Sequence, residues 1–414
     1  MRVLWVKAGK LLPVNTGGKI RSYNILRHLA RNHDVTLLSY YPGREDKKYE
    51  SALEAEFPGS HALCTSGYDR GRLLRSLDYL RCLFRPAPFA VSRFTHAKVR
   101  SLVESWMQER RFDVCVCDFV AASLNFPDRL SVPTLLFQHN VETALWRRRA
   151  GTESNPVKRL FYRIEAAKMA RCEGQALGKF HHVVAVSERD RQQMLQMVTD
   201  CDISVVPTGV DTQKYVPSPT SRADPPRIVF TGSMDWEPNI DAVIYFCKEI
   251  FPRVRVEFPT AIFQIVGRDP HPRVKQLASS TVQVTGTVPS VTEYLRDATV
   301  VVVPLRAAGG TRLKIYEAMA MGKAVVSTSI GAEGLEVRSG RDLILADDAV
   351  AFAEAIVLLM RDEQIRRRYE LAAVEVASRQ DWSRIAERFA EVLRTMCGEV
   401  MSVSSQLQLR PRDG

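Results

Sequence analysis

The stretch that decides the fold reads VVVVPLRAAGGTRLKIYEAMAMG and spans residues 300–322. Four consecutive valines predict a strand that is buried on both faces of a parallel sheet. Pro304 ends this strand, and two glycines then lead into a segment that predicts a helix stopping at Gly322. A strand, a glycine-rich turn and a helix in this order indicate an α/β domain.

The turn within this stretch predicts a binding site for an anion. Gly309 and Gly310 let the backbone approach a ligand closely, and Thr311 is a favourable N-cap for the helix. Free N–H groups and the positive end of the helix dipole favour a bound phosphate there. Arg312 and Lys314 add two cations, which oppose the dipole unless an anion is bound. The alternative is that both side chains reach solvent or pair with acidic residues.

Glu317 lies six residues beyond Thr311, about 9 Å along a helix that rises about 1.5 Å per residue. That separation suits the ribose hydroxyls of a nucleotide whose phosphates lie at the helix start. A helical glutamate taken alone is more often a solvated charge, so both readings stay open.

The same alternation of short apolar runs and helical patterns continues outward in both directions. A helical pattern covers residues 19–31, and residues 212–226 have the composition of a linker. Two doubly wound Rossmann-like domains facing across a ligand-binding cleft are therefore expected. The predicted strands cover residues 2–6, 35–40, 114–117, 134–138, 183–186, 203–206, 227–231, 262–266, 300–303 and 324–327.

Composition restricts the partners and the compartment. The 414 residues carry a net charge of +11, which favours an anionic partner such as phosphate, a lipid surface or nucleic acid. No segment has the apolar length of a membrane span and no signal peptide is evident, so a cytoplasmic protein is expected. The eight cysteines include no Cys-x-x-Cys pair and are expected to be reduced.

A basic segment from Arg70 to Arg85 carries leucines at helical spacing. It predicts peripheral contact with an anionic membrane, here the inner face of the plasma membrane. The alternative is an ordinary helix with its apolar stripe in the core. A second basic stretch runs from Arg147 to Arg163. Nucleic acid is not expected as a partner, because no basic motif interleaved with aromatic residues is present.

Nearly the whole chain resembles the family-4 retaining glycosyltransferases, which have the GT-B fold. Within that family it is similar to bacterial sugar transferases of exopolysaccharide assembly, including those associated with PEP-CTERM loci. The segments that carry the resemblance follow the family's order: Gly17-Gly18, Gln138-His139-Asn140, Val186-Ser187-Glu188, Val206-Pro207-Thr208-Gly209-Val210-Asp211, Gly232-Ser233, Ile265-Val266-Gly267, Val284-Thr285-Gly286 and residues 317–326.

The resemblance implies transfer of a hexose-type sugar from a nucleotide-diphosphate donor to a polysaccharide or lipid-linked acceptor, with retention of configuration. Glu317 would hold the donor ribose, and His139 would contact the transferred sugar. Gly17 and Gly18 would approach the donor phosphate and the acceptor, and Gly232 would also face the donor. The implied division of the chain is an acceptor-side domain at 1–211, a linker at 212–226, a donor-binding domain at 227–382, a helix at 383–400 that packs back on the first domain, and a flexible tail at 401–414.

Two departures from the family pattern affect the donor site. Gly309 stands where the family has the first glutamate of a pair, and residues 232–239 lack the usual arginine and lysine. We infer that Arg312 and Lys314 replace those cations, so that Arg312, Lys314 and His139 form the predicted catalytic set. Cations and dipoles fixed in a dry site can stabilise a leaving diphosphate, so neither a metal nor another cofactor is expected.

Three rival functions differ from this expectation in testable ways. A sugar-nucleotide epimerase of related fold would isomerise the donor without an acceptor. A catalytically inactive donor-binding protein of polysaccharide assembly would bind the donor without turnover, and the missing first glutamate keeps this alternative open. A nicotinamide oxidoreductase is disfavoured, because residues 16–21 lack the Gly-x-Gly-x-x-Gly pattern.

Overall fold

The computed structural model describes residues 1–65, 85–217, 224–307 and 312–408. It divides into two compact units. The N-terminal unit comprises Met1–Pro207 with Ile385–Gly414, and the C-terminal unit comprises Thr208–Arg384. The division falls at Pro207, so the start of the predicted linker belongs to the C-terminal unit.

A seven-stranded parallel sheet forms the centre of the N-terminal unit, in the order β3-β2-β1-β4-β5-β6-β7. Its central strands are buried along most of their length, as expected for a parallel sheet covered on both faces. The strands are β1 (Arg2–Ala8), β2 (Asp34–Pro42), β3 (His61–Thr65), β4 (Val114–Asp118), β5 (Thr134–Phe137), β6 (His182–Ala185) and β7 (Ile203–Val205).

Helices cover this sheet. The first begins at Gly17 rather than at residue 19 as predicted, because Thr16 is the N-cap. The helices are α1 (Gly17–Leu29), α2 (Lys47–Glu56), α3 (Phe89–Ser92), α4 (Ala97–Gln108), α5 (Glu142–Thr152), α6 (Pro156–Lys179) and α7 (Glu188–Leu195), with a 3-10 helix at Val120–Asn125.

The C-terminal unit holds a six-stranded parallel sheet in the order β10-β9-β8-β11-β12-β13. Its strands are β8 (Arg227–Thr231), β9 (Ile262–Val266), β10 (Val282–Gly286), β11 (Val300–Val303), β12 (Val325–Ser327) and β13 (Ile344–Leu345). Its helices are α8 (Glu237–Tyr245), a π-helical segment (Phe246–Ile250), α9 (Phe251–Glu257), α10 (Pro272–Lys275), α11 (Thr292–Arg296), α12 (Leu313–Ala320), α13 (Ala349–Arg361) and α14 (Glu363–Arg379). The prediction of two doubly wound Rossmann-like units is confirmed.

The last helix, α15 (Trp382–Gln408), starts in the C-terminal unit and belongs to the N-terminal unit from Ile385 onward. Phe389 packs into the core of the N-terminal unit, with its ring centroid 5.5 Å from Trp5 and 5.1 Å from Phe137. Aromatic rings at these separations add to the apolar area that the helix buries. The sheet of the N-terminal unit is therefore covered in part by residues from the end of the chain.

The helix that decides the fold, α12, differs at its start from the prediction. It begins at Leu313 with Arg312 as the N-cap, so Thr311 is not the cap, and the Arg312 side chain makes no capping hydrogen bond. Its end matches the prediction, since Gly322 has φ +68° and follows the C-cap. The Lys323 amide donates to the Ala318 carbonyl, which is the Schellman pattern that favours glycine at this position.

Candidate active site

Polar residues gather at the carboxyl edge of the sheet in the N-terminal unit. Lys7 lies near the end of β1, Asp118 ends β4, and His139 follows β5 by two residues. Parallel strands present their carboxyl ends at one edge, which is where α/β folds bind ligands. All three side chains are at least nine-tenths buried, so polar rather than apolar groups occupy this part of the interior.

His139 is fixed by partners on both ring nitrogens. Its Nε2 lies 2.6 Å from Asp118 Oδ1, and its Nδ1 lies 3.2 Å from Arg21 Nη1. The network assigns the proton to Nε2, because a guanidinium can only donate to Nδ1. The ring also packs between Phe119 and Phe137, at centroid distances of 5.4 and 4.5 Å. The imidazole therefore has one orientation.

Asp118 is the centre of this cluster. Its Oδ2 accepts hydrogen bonds from Trp5 Nε1 at 2.8 Å and from Lys7 Nζ at 2.9 Å. Burial alone raises the pKa of a carboxyl group, but the Lys7 ammonium and His139 together hold the pKa of Asp118 well below its usual range. Burial lowers the pKa of His139 to about 4 despite the neighbouring carboxylate, so its ring is neutral near pH 7.

The two glycines at the start of α1 are not required by packing. A Cβ at Gly17 would meet no atom within 4 Å, and one at Gly18 would lie 3.6 Å from His139 Cδ2, which is ordinary contact. Neither glycine has a positive φ. Their predicted role at a ligand stays a prediction, and the structure gives no competing structural reason for them.

Sequence reasoning missed most of this cluster, namely Lys7, Arg21, Asp118 and Ser22, whose Oγ accepts a hydrogen bond from Lys7 Nζ at 3.1 Å. A usable signal was present, since Asp118 closes the otherwise apolar run Val-Cys-Val-Cys-Asp and Lys7 interrupts the first apolar strand. A charge inside a buried strand needs a partner. The identity of that partner depends on the pairing of β1 with β4, which joins segments more than a hundred residues apart.

Lys314 lies at the carboxyl edge of the sheet in the C-terminal unit. Its Nζ donates to Asn239 Oδ1 at 3.0 Å and lies 4.0 Å from the centroid of the Phe230 ring. A Cβ at Gly232 would come within 2.8 Å of this Nζ, so the predicted donor-site glycine and lysine are neighbours. Burial lowers the pKa of Lys314 to about 7, with Glu317 opposing this shift. Within the described part of the chain, no carboxylate forms an ion pair with this ammonium, and Glu317 acts on it only through its charge.

Glu317 is held by a residue from the start of the C-terminal unit. Tyr215 donates its hydroxyl hydrogen bond to Glu317 Oε1 at 3.0 Å. Burial raises the pKa of Glu317, and the Tyr215 hydrogen bond and the charges of Lys214 and Lys314 oppose this shift. Within the described ranges Oε2 has no hydrogen-bond donor. This oxygen is the part of the carboxylate that is left for a ligand.

Arg312, the third predicted cation, is 7% exposed and contacts the loop that follows β12. Its Nη2 donates to the Ile330 carbonyl at 3.0 Å and lies 3.3 Å from Glu333 Oε2. The pairing with an acidic residue was the alternative that the sequence left open. Its role at a phosphate stays a prediction, and Gly309, Gly310 and Thr311 lie outside the described residues.

The chain contains one Asp-x-Asp spacing, Asp200-Cys201-Asp202, and it precedes β7 at the amino end of that strand, away from the edge that carries His139. Among the described ranges no group of three His, Cys, Asp or Glu side chains is arranged to hold a metal ion. None of the described helices has the length and apolar character needed to cross a bilayer. The segment from Arg70 lies outside the described residues up to position 84.

Two family models match the chain. Residues 16–214 match the model described as Glycosyltransferase Family 4, and residues 225–362 match the model described as Glycosyl transferases group 1. A phosphatidyl-myo-inositol mannosyltransferase of Mycolicibacterium smegmatis is 26% identical over 230 residues, which is 53% of this chain. The match covers only 58% of that relative. An uncharacterised 44.6 kDa protein from the cps region of Klebsiella pneumoniae is 22% identical, with 83% of this chain and 87% of that protein covered.

Solved structures share the fold. A sucrose-phosphate synthase from Thermosynechococcus elongatus aligns with a TM-score of 0.66 at 14% identity, covering 96% of this chain and all of that chain. The Anabaena protein HepE in complex with UDP and glucose aligns with a TM-score of 0.62 at 16% identity, covering 95% of this chain and 99% of that chain. At these identities the likeness concerns the fold alone and not the ligand.

Proposed function

We propose that this chain is a glycosyltransferase of the GT-B type that moves a hexose-type sugar from a nucleotide-diphosphate donor to a polysaccharide or lipid-linked acceptor with retention of configuration. The observation that carries the proposal is that Lys314 and Glu317, three residues apart on α12, lie at one sheet edge of the C-terminal unit, close enough for their charges to interact. One side chain supplies a cation for a diphosphate, and the other supplies a carboxylate oxygen for a ribose.

Lys314 is the side chain that we place against the donor diphosphate. Its neighbours are an amide oxygen and an aromatic ring, which stabilise an ammonium only weakly, so a bound diphosphate would complete its environment. In the transition state the leaving diphosphate gains charge, and a cation fixed beforehand stabilises it without reorganisation. Arg312 is proposed to contribute charge while its guanidinium also holds the loop at Ile330.

Glu317 is proposed to accept hydrogen bonds from the donor ribose through Oε2. Tyr215 holds the carboxylate through Oε1, so Oε2 is already oriented for the ribose before the nucleotide binds. The backbone amides of Gly309, Gly310 and Thr311 remain our prediction for the remaining phosphate contacts. Gly232 gives the donor access to Lys314 because a larger residue would overlap the lysine.

His139 is proposed to border the transferred sugar on the acceptor side. Both of its ring nitrogens have protein partners and its pKa is about 4, so we assign it a positioning role rather than proton transfer. Gly17 and Gly18 begin α1 beside it and would let the backbone approach the sugar or the acceptor. No step in this scheme is assigned to a metal or to another cofactor.

Two relatives support the choice of acceptor class. The mycobacterial mannosyltransferase is named for phosphatidyl-myo-inositol, a lipid, and the Klebsiella protein is encoded in a cps region. The alignment with the Klebsiella protein covers most of both chains, and we take its place in a cps region as support for a role in polysaccharide assembly. We propose that the chain works in the cytoplasm at the inner face of the membrane, where lipid-linked acceptors are found. The membrane contact predicted through Arg70–Arg85 remains a proposal.

A thermal-shift screen against UDP, GDP and ADP sugars tests the proposed function, followed by a transfer assay with the sugar that binds. A donor at about 100 times its dissociation constant should stabilise the fold by about 2.7 kcal/mol. Donor binding followed by transfer supports the proposal. Isomerised donor without an acceptor identifies an epimerase, binding without turnover identifies an inactive donor-binding protein, and no shift with any donor overturns the assignment.

A further inference from the structure

The N-terminal half of α6 exposes an apolar stripe. Val157 is 76% exposed, Leu160 is 60% exposed and Ile164 is 38% exposed. They stand at positions i, i+3 and i+7, so at about 100° per residue they share one face of the helix. The helix buries its opposite face through Ala166, Met169, Cys172, Glu173 and Ala176.

This stripe therefore does not belong to the core of the N-terminal unit. Single exposed apolar residues are ordinary, but several on one helix face indicate a surface that binds a membrane or another molecule. The helix α6 thus has two apolar faces. One packs against the core, and the other faces solvent in the N-terminal half of the helix.

Exposed basic side chains occur on the same pair of helices. Arg147 and Arg148 in the middle of α5 and Arg163 on α6 are exposed, and none of them forms an ion pair with a described residue. The helices α5 and α6 pack against each other, and the three residues that join them bring the end of α5 to the start of α6. Residues 142–164 contain six basic and two acidic side chains.

The charge at the start of α6 is unfavourable in the free protein. Lys158 stands in the first turn, Arg159 follows it, and the first turn holds no acidic residue. Cations at a helix N-terminus oppose the helix dipole and so destabilise the helix start. An anionic partner would remove this conflict, so charge and apolar exposure point to the same kind of ligand.

We propose that the basic apolar patch formed by Arg147, Arg148, Val157, Leu160, Arg163 and Ile164 binds an anionic phospholipid surface. A membrane stabilises both the apolar and the basic side chains of the patch, because apolar side chains enter the acyl boundary and arginines contact the headgroups. A nucleic acid would engage the arginines through its phosphates and leave the apolar stripe in water. The patch is separate from the Arg70–Arg85 segment considered from the sequence.

The position of the patch connects it to the acceptor site. The helix α5 starts at Glu142, three residues after His139, so the patch and the polar cluster are joined by one short helix pair. A membrane bound at the patch would present lipid headgroups near the carboxyl edge of this sheet. This part rests on the proposed function, whereas the membrane contact itself does not.

Vesicle flotation of the full chain tests the inference, with phosphatidylcholine vesicles compared with vesicles that also contain phosphatidylglycerol. The wild-type chain should float with the anionic vesicles at low salt and be released at high salt. The V157S/L160S and R147E/R163E variants should each lose at least tenfold in association. The matched controls are L371S, whose leucine is 59% exposed on α14, and K275E, whose lysine is exposed on α10.

Equal flotation of the patch and control variants overturns the proposal, and so does failure of the wild-type chain to float with either vesicle. Loss in R147E/R163E alone, with competition by an oligonucleotide, also overturns it and identifies a general polyanion site. The thermal shift with nucleotide sugars, measured without lipid, should be unchanged in every variant. A chain that shows this shift but does not float therefore separates failure of the membrane contact from failure of the proposed function.

Discussion

Lys314 is the residue on which the donor site depends most. Its ammonium lies beside an amide oxygen and an aromatic ring, and burial lowers its pKa to about 7. A lysine in such surroundings costs stability in its charged form unless an anion is present. The placement is therefore easier to explain by a bound diphosphate than by folding alone.

Lys314→Met keeps the length of the side chain and removes its charge. We expect kcat/KM for the donor to fall by about 100-fold to about 1,000-fold, the range seen when one preorganised donor is lost at a transition state (about 2.7–4 kcal/mol). Steady-state kinetics of transfer measures this loss. Lys248→Met, at an exposed position of the same unit, is the matched control and should leave the rate unchanged. Equal rates in both variants would remove Lys314 from the mechanism.

The lowered pKa of Lys314 also predicts a pH dependence. In the free chain the lysine binds a proton only below about pH 7, whereas a bound diphosphate favours the ammonium and raises its pKa. Donor binding then takes up a proton, and affinity should fall as the pH rises from about 7 to about 9. Titration calorimetry in two buffers of different ionisation enthalpy measures this uptake. Lys314→Met should show no uptake, and an equal uptake in that variant would contradict the assignment.

The lowered pKa of Lys314 also makes the unfolding free energy of the chain depend on pH. The unfolded chain holds the Lys314 proton up to the ordinary pKa of 10.5, so the free native state is penalised at neutral pH and below. This penalty fades as the pH rises from about 7 toward 10.5. Bound donor should abolish it, because it restores the charge in the folded state.

Asp118→Asn tests the buried cluster of the N-terminal unit. It leaves the Lys7 ammonium buried without its carboxylate, and removal of one partner from a buried pair typically costs about 3–5 kcal/mol. Urea unfolding measures the loss. The control is Asp113→Asn, which breaks the exposed pair with Arg2 and should cost no more than about 1 kcal/mol. Similar losses in both variants would show that the buried cluster is not stabilising.

Element boundaries show where sequence reasoning works. The strands at residues 227–231, 262–266 and 300–303 have the predicted bounds, because continuous apolar runs have few alternatives inside a parallel sheet. The start of α12 does not, because an N-cap is set by the path of the preceding backbone as well as by residue type. The sequence predicted Gly232 and Lys314 as donor residues but gave no sign that Asn239 joins them.

Gly267→Ala tests how the carboxyl ends of two strands are packed. A Cβ at Gly267 would lie 1.6 Å from the Gly232 carbonyl oxygen, so the backbone of one strand end has to move. We expect a loss of several kcal/mol in unfolding free energy together with weaker donor binding, because Gly232 borders Lys314. Gly43→Ala is the control, since its Cβ would meet no atom within 4 Å although its φ is also positive. Equal loss in both would show that backbone conformation, and not overlap, limits the site.

At the scale of the molecule, the sequence alone indicated two α/β units and a donor site in the second one. It could not show how residues far apart in the chain meet, which is why the Lys7, Asp118 and Arg21 cluster and the Tyr215 contact emerged only from the structure. Nor could it show which apolar residues of α6 face solvent, because apolar residues there serve two different faces.

The most direct test of the account is a crystal structure of the chain with the nucleotide sugar that gives the largest thermal shift. A phosphate oxygen should lie within about 3.2 Å of Lys314 Nζ, and a ribose hydroxyl should lie within the same distance of the Glu317 carboxylate. A nucleotide bound elsewhere, with both of these side chains out of hydrogen-bond reach, would contradict the account.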